Sequence, residues 1–390
     1  MAVRLGAMVD YFSAAFWLAP LRTPGGLEAW VERCAALGLG RLYFRVLVYG
    51  DFVHHTRLER RDMEQTCAAF ADFDVLALVT AAAHARGVEV VPWVTLCDEG
   101  VPGHRYTRFA EAHPELLMRD RDGRVYDRAL SYGHAPARAY RVGLVRELMG
   151  YGVDGVLLDF TRWLSRGHMQ APGVALTDSG GISLFGYDEP VVLAWRTLTG
   201  TDPLALPNGH VDWVRFRAAA THTALLRDLR TDLPGFPLYA YVPARGFLAE
   251  LLLDVPAWVR DGLVDQLCVS CVTDVPEEGR AGRFLYATSN DYARQFRQLV
   301  ARHEGRCRVG APVLISASFG PHPDFVGLEP WSFQRPEVLE ETMRSAALGG
   351  ADEVIFYDLC QEYNGEDALW EALGPVCRRV RGLPVPGEPV

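Results

Sequence analysis

The chain contains no lysine: all 39 of its basic residues are arginines. Without a lysine amine, the protein cannot form a Schiff base with a carbonyl substrate, and it lacks the phosphate-binding lysine of a P-loop. Enzymes that act through a lysine Schiff base and P-loop nucleotide-binding enzymes are therefore both excluded. The arginines are scattered along the sequence, and the formal net charge is -10. Because this charge repels phosphate backbones, we expect no nucleic-acid partner.

Long apolar runs are missing as well. No stretch of 18 consecutive apolar residues occurs, so we predict no membrane-spanning helix and expect no membrane partner. Asp10 interrupts the apolar core that an N-terminal signal peptide would need. The sequence therefore predicts a cytoplasmic protein, or a secreted one if a leader precedes these residues.

The cysteines and histidines give no strong signal for a disulfide framework, a redox pair or a metal site. The eight cysteines are irregularly spaced and do not form a disulfide framework. Cys268 and Cys271 form a CxxC, but side chains three positions apart in a predicted strand face opposite sides, which argues against a redox or zinc pair. The eleven histidines form no HxH and no HExxH, and adjacent His54 and His55 cannot easily direct both rings at one ion. We therefore expect neither a metal nor another cofactor.

A recurring unit organises the chain. A helical pattern that ends in glycine is followed by a β-rich run at five places, which read ALGLGRLYFRVLV, ARGVEVVPWVTL, GYGVDGVLLDF, VRDGLVDQLCVS and LGGADEVIFYDL. Three further strands, VRLGAMVDY, FPLYAYVPA and CRVGAPVLISA, raise the number to eight. Helices are predicted between the strands, at residues 26–37, 75–85, 136–149, 211–230, 289–303 and 336–348.

This alternation predicts the α/β class and a (β/α)8 TIM barrel. No linker rich in proline, glycine and serine divides the chain, so we expect one domain over residues 1–385 and a tail at 386–390. The loop after the fourth strand, residues 161–208, is long enough to cover the mouth of the barrel. Two interpretations stay open for it: a lid that shapes the substrate site, or an insertion packed over the side of the barrel.

The fourth strand ends its apolar run in a carboxylate. Alternation along GVDGVLLDF places Gly155, Leu157 and Asp159 on one face. If Leu157 fills the barrel, Asp159 stands above it at the C-terminal edge, where TIM-barrel enzymes carry their catalytic residues. The alternative is a structural aspartate that caps a helix or pairs with Arg162. Arg162 in turn either clamps Asp159 or binds substrate.

The other strand ends add acids and aromatic side chains. Flat rings stack on sugar faces, and acids and arginines bind hydroxyl groups, so this mixture favours a carbohydrate partner over a phosphate or a lipid. The candidates for substrate binding are Asp10, His54, Trp93, Asp98, Arg162, Trp163, Tyr239, Tyr241 and Tyr357.

The central region resembles the family 10 glycosyl-hydrolase-like proteins and their uncharacterised relatives. The similar elements are a His-Pro-Glu segment at 113–115, a Pro-x-x-Arg-like element at 136–138 and a strand of the form DGxxxD at 154–159, with Arg162 close behind. The resemblance covers roughly residues 40–225 and implies a TIM barrel that hydrolyses a glycan, with Asp159 matching the strand-four acid of the family. Many members have a second aspartate beside this acid, where the present chain has Phe160.

Acid and base cleavage of a glycosidic bond normally needs two carboxyl groups. We expect Asp159 to be one of them, and the partner stays open among Glu99, Asp274, Asp358 and Glu362. No glutamate closes the seventh strand, which leaves room for substrate assistance by an N-acetyl group or for an inverting pair. Two rival classes also stay open: a barrel that binds glycan without cutting it, and a metal-dependent sugar isomerase or lyase.

Overall fold

The computed structural model of the chain describes most of its length. The described residues are 2–11, 19–48, 50–59, 73–96, 99–100, 106–161, 177–243, 248, 251–270, 272–275, 283–286, 289–303, 306–315, 336–357, 359, 367–381 and 383.

Eight parallel strands close into a barrel. They are β1 (Arg4–Val9), β2 (Arg41–Val48), β3 (Glu89–Thr95), β4 (Val156–Asp159), β5 (Leu238–Val242), β6 (Gln266–Val269), β7 (Arg308–Leu314) and β8 (Glu353–Tyr357). Each strand pairs with its neighbours in chain order, and β1 pairs with both β2 and β8, so the sheet is closed. The predicted (β/α)8 TIM barrel is confirmed, with every strand in its predicted segment.

The described helices lie between these strands and outside them. The α-helices are Pro24–Ala36, Val75–His84, Arg108–Ala112, Ala135–Met149, Glu189–Thr199, Val211–Ala220, His222–Asp232, Val255–Arg260, Ser289–Arg302, Pro336–Leu348 and Asp367–Arg381, and the 3₁₀ turns are Ala19–Arg22, Pro114–Leu116 and Pro203–Ala205. None of the helices in the described part of the chain is both long enough and apolar enough to cross a bilayer.

One predicted helix is wrong in its continuity. The segment 211–230 was expected as a single helix, but it is broken at Thr221, whose φ and ψ of -111° and -99° are not helical. The Thr221 hydroxyl donates to the Arg217 carbonyl at 2.7 Å. Such a bond back to the preceding turn offers the backbone an alternative to the regular helix ladder.

Short antiparallel strands occur in addition to the eight barrel strands. Asp51–Phe52 pairs antiparallel with β2, Leu117–Arg119 pairs with Val125–Leu130, and Val272–Val275 pairs with Arg283–Tyr286. The hairpin Leu117–Leu130 follows β3 and therefore lies on the side of the barrel where β3 ends. Several helices begin at a capping residue, as at Thr23 and Asp74, whose side chains accept from backbone N–H groups one turn on.

Side chains alternate between the barrel interior and the surrounding helices. The interior cluster holds Met8, Tyr43, Val91, Trp93, Leu157, Tyr239, Tyr241, Cys268, Ile355 and the half-buried Tyr357. The residues between them, such as Leu158 and Val156 on β4, pack outward in the main core. The expectation that Leu157 fills the barrel beneath Asp159 is therefore confirmed.

The floor of the barrel is polar. Glu353 on β8 lies 2.9 Å from the Arg41 guanidinium and accepts from the Tyr43 hydroxyl at 2.6 Å and from Gln266 at 2.7 Å. Arg41 also binds Glu89 at 2.6 Å. Buried charges are tolerated when they are paired and hydrogen-bonded, and Arg41 with the Glu353 Oε2 atom meets that condition, whereas the buried Glu353 Oε1 atom has no hydrogen-bond partner among the described residues.

Glycine makes room for the floor cluster. A Cβ atom at Gly6 on β1 would lie 2.7 Å from the Glu353 Oε1 atom, and one at Gly310 on β7 would lie 2.6 Å from the Gln266 amide nitrogen. Both distances are below normal contact. Hydrogen bonds hold the Gln266 amide and the other carboxylate oxygen of Glu353, Oε2, so neither side chain can move aside without losing these bonds.

We predict that Gly6→Ala lowers the free energy of unfolding by about 1 to 3 kcal/mol, because the added methyl group displaces Glu353 from its partners. Urea denaturation of the purified protein measures this loss. Gly25→Ala is the matched control, since a Cβ there meets no atom within 4 Å and the position is helical. The control should be neutral or stabilising by up to about 1 kcal/mol; equal losses in both variants would contradict the prediction.

Candidate active site

Asp159 is the last residue of β4 and lies at the C-terminal mouth of the barrel. Its side chain is 0 % exposed and accepts three hydrogen bonds. The Trp93 indole N–H donates to Oδ2 at 2.8 Å, while the Thr161 backbone N–H and hydroxyl donate to Oδ1 at 2.7 and 2.6 Å. The Thr161 contacts are local and structural, whereas the Trp93 contact crosses from β3 to β4.

Trp93 is enclosed by charged and aromatic side chains. The Arg45 guanidinium lies 5.1 Å from its ring centroid. The Tyr241 ring meets it edge-on at 6.1 Å, and the Tyr357 ring lies 6.3 Å away. The Tyr241 hydroxyl donates to the Ser270 hydroxyl at 3.2 Å. The Trp93 ring that binds Asp159 is thus packed against one guanidinium and two tyrosine rings.

A second acid at the mouth is Asp10, which directly follows β1. Its Oδ2 accepts from Arg45 Nη1 at 2.7 Å, and both side chains are buried. Arg45 Nη2 donates to the Thr95 hydroxyl at 3.4 Å, and that hydroxyl donates to the Leu47 carbonyl. Arg45 was not among the predicted site residues, although alternation along RLYFRVLV places it on the same face as Tyr43.

Glu99 lies in a different environment. It is 0 % exposed, forms an ion pair with Arg141 on the helix Ala135–Met149, and accepts from the Thr107 hydroxyl at 2.9 Å. Arg141 also donates to the Tyr132 hydroxyl at 3.0 Å. These contacts tie the loop after β3 to a barrel helix, so Glu99 has structural partners here.

Tyr239 and His54 also have structural partners. Tyr239 lies one layer below Tyr241, where Arg41 is 4.8 Å from its ring and Tyr43 meets it edge-on. The His54 ring packs edge-on against Phe52 and Tyr151. A substrate-binding role for either residue stays a prediction.

Several predicted site residues lie outside the described residues. They are Asp98, Arg162, Trp163, Asp358 and Glu362. Asp274 belongs to the strand Val272–Val275, and its side chain is likewise not described. Among the described residues, no group of three or more His, Cys, Asp or Glu side chains could hold a metal ion.

The rim of the barrel beside β3 and β4 is formed by the loop after β3 and the loop after β4, which are hydrogen-bonded to each other. The segment 184–188, from the loop after β4, pairs with the hairpin Leu117–Leu130: Arg121 N–H donates to the Leu184 carbonyl at 3.2 Å, and Asp120 forms an isolated antiparallel bridge with Phe185. Asp188 accepts from Arg119 N–H at 3.0 Å and from the Ser131 hydroxyl at 2.6 Å. Burial raises the pKa of Asp188 to about 6.

Arg217 stabilises the long loop after β4 by binding its backbone carbonyls. Its Nη1 donates to the carbonyls of Ser183 and Phe185 at 2.9 and 2.7 Å, and its Nη2 donates to the Asn208 carbonyl at 3.1 Å. The guanidinium is buried, and the Tyr187 ring lies 4.8 Å away. One side chain thus connects three backbone carbonyls of the long loop after β4.

His222 supports the neighbouring loop after β5. Its Nδ1 lies 3.3 Å from the carbonyl of Leu252, a residue with a positive φ of 55°. A leucine rarely adopts this left-handed conformation, so surrounding contacts must maintain it. Burial lowers the pKa of His222 to about 4.

Solved structures with a similar fold include three proteins. The glycoside hydrolase domain of PgaB (BpsB) from Bordetella bronchiseptica is 15% identical, with 96% of this chain and 99% of that chain covered and a TM-score of 0.61. The α-L-fucosidase isoenzyme 2 from Paenibacillus thiaminolyticus is 15% identical over 97% of this chain and 49% of that chain, with a TM-score of 0.59. The catalytic domain of β-amylase from Paenibacillus polymyxa is 11% identical over 96% and 98%, with a TM-score of 0.56.

At these identities the likeness shows the fold, a TIM barrel of the kind found in glycoside hydrolases. The chain spans about half the length of the fucosidase chain that it matches. No family model matches the sequence, and no curated protein matches it either. The resemblance to the family 10 proteins in particular therefore stays a prediction.

Two buried titratable groups, Asp188 in the rim and His222 beside the loop after β5, predict opposite pH effects on stability. The pKa of Asp188 is raised in the folded state, so its contribution to stability is fully present below about pH 3.8 and is lost as the pH rises through about 6. The pKa of His222 is lowered, so its contribution is present above about pH 6.5 and is lost as the pH falls through about 4.

On acidification from pH 7 to 5 we expect Asp188→Asn to lose about 1 to 2 kcal/mol more stability than the wild type, and His222→Gln to lose about 1 to 2 kcal/mol less. Urea denaturation at the two pH values measures both differences. Identical pH dependence in all three proteins would contradict the prediction.

Proposed function

We propose that the protein is a glycoside hydrolase that cleaves a glycosidic bond of an oligo- or polysaccharide at the C-terminal mouth of the barrel. The observation that supports this most directly is the carboxylate of Asp159 at the mouth, bound by Trp93, whose ring packs against Tyr241 and Tyr357. Aromatic faces bind the apolar faces of sugars, and a carboxylate between them can act on the bond. The names of the three proteins of similar fold agree with this class.

The hydrogen bonds of Asp159 suit one of the two roles in such a reaction. All three of its partners donate hydrogen bonds, which suits an ionised carboxylate. We therefore propose that Asp159 acts as the nucleophile or as the base that activates water.

The partner carboxyl group is still a proposal. Glu99, Asp274, Asp358 and Glu362 stay candidates, and the internal ion pair of Glu99 makes it the least available of the four. A partner about 5 Å from Asp159 would imply retention, and one at about 6.5 to 9.5 Å would imply inversion. We also propose that residues 161–208 shape the substrate cleft, with the rim at 184–188 as one wall.

A second function is a barrel that binds glycan without cutting it. The complete burial and local hydrogen bonding of Asp159 favour this candidate, because a carboxylate engaged by Thr161 and Trp93 already has structural partners. Glycan binding without turnover across a broad panel of labelled oligosaccharides would select it.

We predict that Asp159→Asn abolishes glycan cleavage, by at least about 10² to 10⁴-fold, while the fold is retained. Asparagine has nearly the shape of aspartate but carries no charge and cannot accept a proton. Turnover of the oligosaccharide panel and thermal unfolding measure the two effects.

Asp154→Asn is the matched control for this experiment. Asp154 precedes the same strand and accepts from Val90 N–H and from His84, both at 2.8 Å, away from the barrel interior. Its substitution should leave turnover within about threefold, since asparagine keeps an acceptor oxygen for these bonds and Asp154 lies at the opposite end of the strand from Asp159. Unchanged cleavage by the folded Asp159→Asn protein would refute the assignment of Asp159.

A further inference from the structure

Four side chains are linked by successive contacts across the mouth of the barrel. Asp10 follows β1, Arg45 lies on β2, Trp93 lies on β3 and Asp159 ends β4, so each comes from the next strand around the barrel. The contacts are an ion pair of 2.7 Å, a guanidinium 5.1 Å from the indole centroid and a hydrogen bond of 2.8 Å. The two mouth acids are thereby joined through a cation and an aromatic ring.

Burial of this ion pair is not by itself a sign that it stabilises the fold. Arg45 and Asp10 are 1 % and 5 % exposed, and apolar residues of similar volume often replace a buried ion pair without loss of stability. The pairing of β2 with β3 is also irregular here, with a register shift between Arg45 and Leu47. Such bulges redirect side chains and are frequent beside active sites.

The main physical effect of these linked contacts is on the Trp93 indole N–H. A cation over the ring face draws electron density from the ring and strengthens the N–H as a donor. The Asp10 carboxylate and the Thr95 hydroxyl hold the guanidinium over the ring, while Tyr241 and Tyr357 restrict the ring from other directions. The position of Asp159 Oδ2 is therefore set from the far side of the mouth.

We infer that Asp10 and Arg45 are positioning residues for Asp159 and act on it through Trp93, an inference that rests on the proposed function for its catalytic meaning. Asp10 in this assignment does not touch the substrate. It keeps the guanidinium over the indole, and the indole keeps the Asp159 carboxylate in the orientation needed to attack or to activate water.

The test uses the indole N–H of Trp93 in the folded protein. Labelling with ¹⁵N-tryptophan gives one indole resonance for each of the nine tryptophans, and the resonance that disappears in Trp93→Phe is assigned to Trp93. Solvent exchange of that proton reports the hydrogen bond to Asp159 directly. Asp159→Asn shows how the resonance behaves when the carboxylate is lost.

We predict that Asp10→Asn shifts the Trp93 resonance by more than its linewidth and speeds its solvent exchange about tenfold, because the guanidinium leaves the ring. Asp154→Asn should leave both unchanged. An unmoved resonance and unchanged exchange in folded Asp10→Asn would overturn the inference. If Asp10→Asn does not fold, Arg45→Lys, which keeps the charge but removes the flat guanidinium, should produce the same shift, and its absence would overturn the inference equally.

Turnover separates this inference from the proposed function. If Asp159→Asn abolishes cleavage, Asp10→Asn should lower kcat about tenfold or more with KM nearly unchanged, since only the orientation of the reacting group is altered. A rise in KM alone would assign Asp10 to substrate binding and overturn the positioning role. If the wild type cleaves no glycan, the proposed function fails, while the resonance test still decides whether Asp10 and Arg45 position Asp159.

Discussion

Closure of the barrel between β1 and β2 is the constraint on which the site depends. Pairing of Gly6 with Arg41 and of Val9 with Phe44 fixes the register, and strict alternation then decides which side chains face inward. A shift of one residue would turn Arg45 out and bring its apolar neighbours in. The same register places Asp10 beside Arg45 and makes the first four strands contribute adjacent groups to the mouth.

The interior is organised in layers of different polarity. Arg41 and Glu353 form a charged floor, Leu157 and Ile355 belong to an apolar middle, and Arg45 with Asp10 lies at the mouth. The apolar layer keeps the two ion pairs apart along the barrel axis, and the interaction between them falls with this distance.

The barrel and the position of Asp159 could be predicted because both follow from local periodicity: glycine ends the helices, and every second strand residue faces inward. The environments of Glu99 and His54 could not, since they depend on Arg141 and Tyr151, which are distant in sequence. The break at Thr221 also escaped prediction, because apolar residues continue with helical spacing on both sides of it. Periodicity reports which face is buried, and it does not report which partner the buried group meets.

The joint rim has a mechanical consequence. The loop after β3 and the loop after β4 share backbone hydrogen bonds at Arg121 and Leu184, and Asp188 fastens the same pair of loops. A displacement of residues 184–188 would therefore either break these contacts or move the hairpin Leu117–Leu130 with it, so a sequence change on one side of the contact also alters the shape of the other side.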